Sequence, residues 1–188
     1  SDGMGHGNQA ALESRQAVEL LRMCLDAGYD RAQTLTAVNG MMLLAGQGER
    51  FTTVDLFLLD LWTGKASLDK LGAACSYLMQ SDGLSLLGGD ALPLGILENV
   101  ESGEKLMQLH QGDTLILLSD GVEDAYENRQ SMEEAIRDAL TLETAQDAAN
   151  AILTGAQSGD TAPADDQTVL VLRLIRARAD AKIEEMYQ

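Results

Sequence analysis

Three Ser-Asp-Gly triplets punctuate the chain, Ser1-Asp2-Gly3, Ser81-Asp82-Gly83 and Ser119-Asp120-Gly121, and their surroundings give them different chemistry. The third follows Thr114-Leu115-Ile116-Leu117-Leu118, an apolar run too continuous for a half-exposed strand. A carboxylate at the end of a buried strand is costly unless something neutralises it. The first triplet opens Asp2-Gly3-Met4-Gly5-His6-Gly7, where alternating glycines let backbone carbonyls approach a ligand closely. Ala164-Asp165-Asp166-Gln167-Thr168 sets adjacent carboxylates just ahead of the last apolar run, and like charges collected at strand ends commonly hold a cation. Asp2, Asp120 and Asp165 therefore read as carboxylates brought together from three strand ends, and an oxygen-only ligand set favours Mg²⁺ or Mn²⁺ over zinc. Spacing alone leaves this reading open against ordinary capping and turn aspartates. The middle triplet lies between two strand-like runs and reads as a hairpin turn, since Asp-Gly supplies the positive φ such turns need.

The elements that must position these residues follow from periodicity. From Gln9 to Ala27 the positions Ala10, Ser14, Ala17/Val18, Leu21 and Leu25 recur at steps of three and four, one face of a helix that Gly28 stops. Asp30 is placed to cap a second helix reaching about Leu44, with Leu35, Val38 and Met42 on its inner face. The period then changes. Phe51 to Trp62 and Lys65 to Leu71 form a hairpin about Thr63-Gly64, and Ala74 to Gln80 and Leu84 to Leu87 form another. Lys105 to Leu109 and Thr114 to Leu118 are further strands. Helices follow at about Met132 to Leu140, capped by Ser131, and Thr144 to Ala156, ended by Gly155; the last strand is Thr168 to Ile175 and Ala177 to Gln188 is a weakly helical tail. Strands joined by turns, with helices gathered in pairs, give an α+β class in which helices cover antiparallel sheet rather than alternating βαβ units.

The 188 residues suit one domain, and a 45% hydrophobic content with only 4% aromatics means a core of Leu, Ala, Val, Ile and Met. The formal charge of −17 disfavours nucleic-acid backbones and anionic membrane surfaces, and leaves the surplus carboxylates as solvated surface or as ligands for hard divalent cations. Cys24 and Cys75 are isolated thiols, which argues against a disulfide framework or zinc site and makes both small buried hydrophobes. No apolar stretch approaches the roughly 18 residues of a spanning helix, and no basic region precedes an apolar one as in a secretory leader. The expected location is cytoplasmic, as a free domain or the cytosolic part of a larger, membrane-tethered protein.

Five segments in register resemble a known family: Ser1-Asp2-Gly3-Met4-Gly5-His6-Gly7 with Glu13-Ser14, Thr52-Thr53-Val54-Asp55-Leu56, Leu92-Pro93-Leu94-Gly95-Ile96, Leu118-Ser119-Asp120-Gly121-Val122 and Asp165-Asp166-Gln167-Thr168. Together they resemble the SpoIIE-type phosphatases, the bacterial branch of the PPM (type 2C-like) metal-dependent protein serine/threonine phosphatases, over Ser1 to about Ile175. The resemblance implies a four-layer αββα sandwich with the metal site at one end of two antiparallel sheets. It implies that Asp2 bridges two Mn²⁺ or Mg²⁺ ions, that the Gly3 carbonyl serves one and that Asp120 and Asp165 ligate the other, so that Asp2, Asp120 and Asp165 carry catalysis. Two such cations activate water for in-line attack on phosphorus, and no covalent phosphoenzyme is needed. Asp166 would orient a water or cap its turn. The implied substrate is a phosphoserine or phosphothreonine on a bacterial regulatory protein, an anti-anti-sigma factor of STAS-type fold, with release of a sigma factor as the output.

Two departures from the family pattern stand out. The His that follows the first Asp-Gly in many members is Met4 here, which leaves leaving-group protonation to metal-bound water or to His6, although His6 reads first as a solvated loop residue. The strand that the family places before that Asp-Gly is absent, so residues 1–176 are expected to form an N-terminally shortened domain whose metal affinity suffers from fraying at Asp2, with 177–188 as a tail. These departures motivate an alternative, a catalytically silent phosphatase-like binding or signalling domain. The first two helices resemble the family's regulatory pair, and the tail is a candidate for homodimerisation. Met4, Met23, Met41 and Met42 read as core filler, Trp62 as packing or partly exposed, and Asp55 as facing the site or as a strand-edge polar residue.

Overall fold

The computed structural model describes residues 2–3, 8–46, 51–89, 91–100, 103–158 and 165–175. The tail at 177–188, Met4 and His6 lie outside them. The elements in chain order are β1 (Asp2–Gly3), α1 (Asn8–Asp26), α2 (Arg31–Gly46), β2 (Thr52–Leu59), β3 (Lys65–Leu71), β4 (Ser76–Gln80), β5 (Gly83–Leu87), β6 (Lys105–Gln108), β7 (Thr114–Leu118), α3 (Asp120–Glu123), α4 (Arg129–Ala139), α5 (Ala145–Ala156) and β8 (Val169–Arg173). They build two antiparallel four-stranded sheets, ordered β1-β2-β3-β6 and β5-β4-β7-β8.

The alternation of side chains along each strand sorts the core into three layers. Val54 and Leu56 of β2 and Leu71 of β3 pack against Ala17, Leu21 and Cys24 of α1 and Leu35, Val38 and Met42 of α2. Tyr77 of β4 and Ile116 and Leu118 of β7 pack against Met132 and Ile136 of α4 and Ala148 and Ile152 of α5. The remaining faces meet each other: Ala66, Leu78, Leu109 and Leu115, with Phe57, Leu87 and Leu172, fill the space between the sheets. Helix pair, sheet, sheet, helix pair is the expected four-layer sandwich. The apolar run of β7 is buried as its continuity requires, because one face meets α4 and α5 and the other meets the opposite sheet.

Local signals act as the sequence predicts, with instructive exceptions. Asp30 accepts from the Gln33 amide at 2.8 Å while Gln33 Oε1 accepts from Asp30 N–H at 3.1 Å, a reciprocal cap on α2. The Ser81-Asp82 turn joins β4 to β5, with Gly83 at φ 128°. Ser131, expected to cap α4, is instead its third residue. Asn128 is the cap, and Ser131 completes a box by donating its hydroxyl to the Asn128 carbonyl at 2.7 Å and accepting the Asn128 N–H at 3.3 Å. Gly155 does not stop α5, which continues to Ala156; a Cβ there would lie 2.5 Å from the Tyr126 hydroxyl, so this glycine makes room for an aromatic side chain. Met42 is core, but Met23 and Met41 are 62% and 46% exposed, and Cys75 is only partly buried. Trp62 at the β2–β3 turn is 97% exposed. Strands β6 and β7, consecutive in sequence, belong to different sheets. Asp113 fixes the crossing by accepting from the His110 amide at 2.8 Å and from Gln80 Nε2 at 2.7 Å. Among the described residues no helix is long and apolar enough to cross a membrane.

Candidate functional site

At one end of the inter-sheet layer the two sheets part around a cleft of about 410 Å³. Thr53 and Asp55 of β2 and Leu117 and Leu118 of β7 contribute to its walls, together with Asp120 and Asp166. Strand β1 runs along its first-sheet side: Asp2 is the register partner of Thr53, and Gly3 of Thr52. The backbone of the Asp-Gly pair is thus laid against the strand that lines the cleft, while the Asp2 side chain lies outside the described residues.

The second sheet brings the other acidic segments together. Asp120 is the first residue of α3, directly after β7. Strand β8 pairs with β7 in antiparallel register, Leu118 opposite Val169, so the chain just before β8 returns to the end of β7. Side chains lock this junction: the Ser119 hydroxyl donates to the Asp166 carbonyl at 3.0 Å and accepts the Thr168 N–H at 2.9 Å, and Gln167 Nε2 donates to the Gly121 carbonyl at 3.0 Å. Gly121 permits the approach, since a Cβ there would lie 2.6 Å from the Asp166 carbonyl oxygen and 3.1 Å from that of Asp165. The carboxylate expected to be costly at a buried strand end is in fact exposed, because the chain turns into α3 at that point; Asp165 and Asp166 are exposed as well. Asp166 is among the cleft-lining residues, and Asp165 precedes it with Oδ1 accepting the Asp166 N–H at 2.8 Å.

Chemically, the junction offers carboxylate oxygens on a solvent-open cleft and no thiol or imidazole among its lining residues, a donor set suited to a hard divalent cation. Among the described residues, no group of three His, Cys, Asp or Glu side chains lies close enough to hold a metal ion. The Gly121 cradle keeps Asp120 beside the Asp165-Asp166 backbone.

Asp55 and Lys70 are the functional candidates that the sequence left unresolved or unnoticed. Asp55 faces the cleft, and its Oδ1 accepts from Lys70 Nζ at 2.6 Å. Burial pushes the Asp55 carboxyl above its usual range, and the Lys70 ammonium opposes that rise. The only sequence signal was the spacing: Thr53, Asp55 and Phe57 share a face of β2, and Phe57 points between the sheets.

Comparison with known proteins agrees with this architecture. The profile of the Stage II sporulation protein E (SpoIIE) family matches residues 1–175. Stage II sporulation protein E of Priestia megaterium is 33% identical over 122 residues, covering 65% of this chain and 21% of the relative. The chain thus spans about a fifth of that relative's length. The solved PP2C phosphatase domain of SpoIIE from Bacillus subtilis, determined with a fragment of its regulatory domain, superposes with a TM-score of 0.81 at 29% identity, over 93% of this chain and 53% of that one. The catalytic domain of the serine/threonine phosphatase PstP, solved with two manganese ions, shares the fold at a TM-score of 0.75 and 20% identity, over 93% of this chain and 85% of that one. Two parted antiparallel sheets between helix pairs, with the Asp-Gly segments at one open end, are the PPM phosphatase fold, and the chain belongs to the SpoIIE family.

Proposed function

We propose that this domain is a metal-dependent protein serine/threonine phosphatase that hydrolyses a phosphoserine or phosphothreonine on a bacterial regulatory protein. The observation that carries the reading is the junction at the cleft. Gly121 lets Asp120 and the Asp165-Asp166 segment converge opposite the β2 edge that bears Asp2-Gly3, in a chain of the SpoIIE family. Asp2, the Gly3 carbonyl, Asp120 and Asp165 would hold two Mn²⁺ or Mg²⁺ ions. When bound, such ions activate water and offset charge on the phosphoryl oxygens. The protein's own part is to hold Asp120 at the start of α3, to fix the 165–168 segment through Ser119 and Gln167, and to keep the cleft open to a protein side chain. Asp166 lines the cleft wall, where it would orient a water or cap its turn.

The substrate class we favour is a phosphorylated anti-anti-sigma factor of STAS-type fold. Support comes from the family, since the structure offers an open cleft rather than a pocket that selects a small molecule. The decisive assay is Mn²⁺-stimulated hydrolysis of a phosphoserine protein by the full-length protein, with Asp120→Ala and Asp165→Ala as controls. Both substitutions and a chelator are expected to abolish turnover. Activity that survives both would overturn the assignment, and calorimetry showing no Mn²⁺ or Mg²⁺ binding would instead favour a silent phosphatase-like binding domain.

A further inference from the structure

Beneath the cleft lies a cation with no part in the chemistry above. The Lys70 side chain is wholly buried, and its ammonium donates to Asp55 Oδ1 at 2.6 Å and to the Ser76 hydroxyl at 2.8 Å. These residues come from three strands and both sheets: Asp55 and Lys70 are register partners across β2 and β3, whereas Ser76 begins β4. Gly89 closes over the lysine stem, and a Cβ there would lie 2.7 Å from Lys70 Cβ. Asp55 keeps 12% of its side-chain surface exposed and shares the cleft wall with Asp120 and Asp166.

A buried ammonium is tolerated only when paired, and an apolar side chain of similar volume commonly holds a protein together as well or better. What an apolar residue cannot supply is positive charge directly behind a cleft carboxylate. We propose that Lys70 is a positioning residue of the cleft: its ammonium draws Asp55 toward the interior and offsets its charge, so that Asp55 neither joins the ligands of a divalent cation nor repels a phosphate group entering the same cleft. The inference rests on the phosphatase reading, and it makes a prediction of sign that a purely structural lysine does not.

Removing the cation should tighten metal binding and weaken anion binding at once, whereas loosening the fold weakens both. The test uses the full-length protein, with Mn²⁺ alone titrated by calorimetry and inorganic phosphate measured as a competitive inhibitor of phosphoserine hydrolysis. For Lys70→Met, Mn²⁺ affinity should rise about tenfold and the phosphate inhibition constant should rise by a similar factor, the scale of one uncompensated charge in a partly screened cleft. Asp55→Asn should move both constants the other way, and the double variant should return both to within about threefold of the parent, since charge balance is restored. A Lys70→Met protein that binds both ions more weakly, or both unchanged, overturns the inference. So does a double variant that stays weak for Mn²⁺, because Asp55 would then be a ligand itself. If Lys70→Met fails to fold, Lys70→Gln, which removes the charge but keeps a donor for Asp55 and Ser76, replaces it in the single and double variants with the same expected and refuting outcomes. A parent protein that neither binds Mn²⁺ nor hydrolyses the phosphoserine substrate overturns the phosphatase reading, and this inference falls with it.

Discussion

Substituting Gly121 by Ala tests whether the acidic junction is built as described. Gly121 lies in the helical backbone of α3, so helix propensity alone predicts a gain of about 0.5–1 kcal/mol for alanine. The contact predicts the reverse. A Cβ 2.6 Å from the Asp166 carbonyl oxygen must retreat to an ordinary separation of 3.4 Å, which opens the junction by about 0.8 Å. The obstructing atom is backbone and cannot rotate away. The same displacement stretches the Ser119 hydroxyl bond to the Asp166 carbonyl, now 3.0 Å, beyond bonding range. Overpacking of this kind costs about 1–3 kcal/mol, leaving a net loss of up to about 2.5 kcal/mol after the propensity gain. For a domain of this size that lowers Tm by up to about 10 °C. Differential scanning calorimetry measures the stability change, and Mn²⁺ titration measures the accompanying loss of affinity as Asp120 and Asp165 move apart. A Gly121→Ala protein as stable as the parent, with unchanged Mn²⁺ affinity, would refute the account of the junction.

Other consequences are accessible to routine measurement. Asn128→Ala removes the side-chain acceptor that caps α4, and urea denaturation should show a loss of about 1 kcal/mol with phosphatase activity unchanged, since α4 packs on the face of the second sheet away from the cleft. The Tyr77 hydroxyl is buried with no hydrogen-bond partner among the described residues and burial pushes its pKa up to about 12, so Tyr77→Phe should leave Tm unchanged or raise it, and ultraviolet titration of the folded parent should lack one phenolate below about pH 11. Asp60 accepts from the Thr63 hydroxyl at 2.6 Å and the Trp62 amide at 2.8 Å, which hold its carboxyl below the usual value of 3.8. Because the folded pKa is the lower one, its contribution is present above about pH 4 and disappears as pH falls through the folded value. The Tm difference between the parent and Asp60→Asn should therefore shrink toward zero on acidification below pH 4; a difference that persists at pH 2 would contradict this.

Much of the fold was legible because it is written in local periods. The three- and four-residue spacing of Ala17, Leu21, Leu35 and Val38 gives the helices that cover the first sheet, and the turn residues between apolar runs give the hairpins. The exceptions share one physical origin. Ser131 and Gly155 have the residue types of a cap and a terminator, but Asn128 three residues upstream and the ring of Tyr126 decide their roles. Met23 and Met41 have core chemistry on helix faces that nothing covers among the described residues.

The same division runs through the site. Residue type and order alone determined that the segments match the SpoIIE pattern, and they set Asp120 and the Asp165-Asp166 pair at the ends of apolar strands while leaving the cation reading open against capping and turn aspartates. The sequence also determined that Asp69 and Lys70 point to opposite faces of β3, because side chains alternate. It did not reveal that both would be fully buried, Asp69 beside Arg31 of α2 and Lys70 between the sheets. Only the packing of two sheets sets Lys70 against Ser76 and places Asp55 on the wall that holds Asp120 and Asp166. Contacts between strands distant in sequence depend on register and on which sheet each strand joins, and both are fixed by burial of the whole core rather than by any local run of residues.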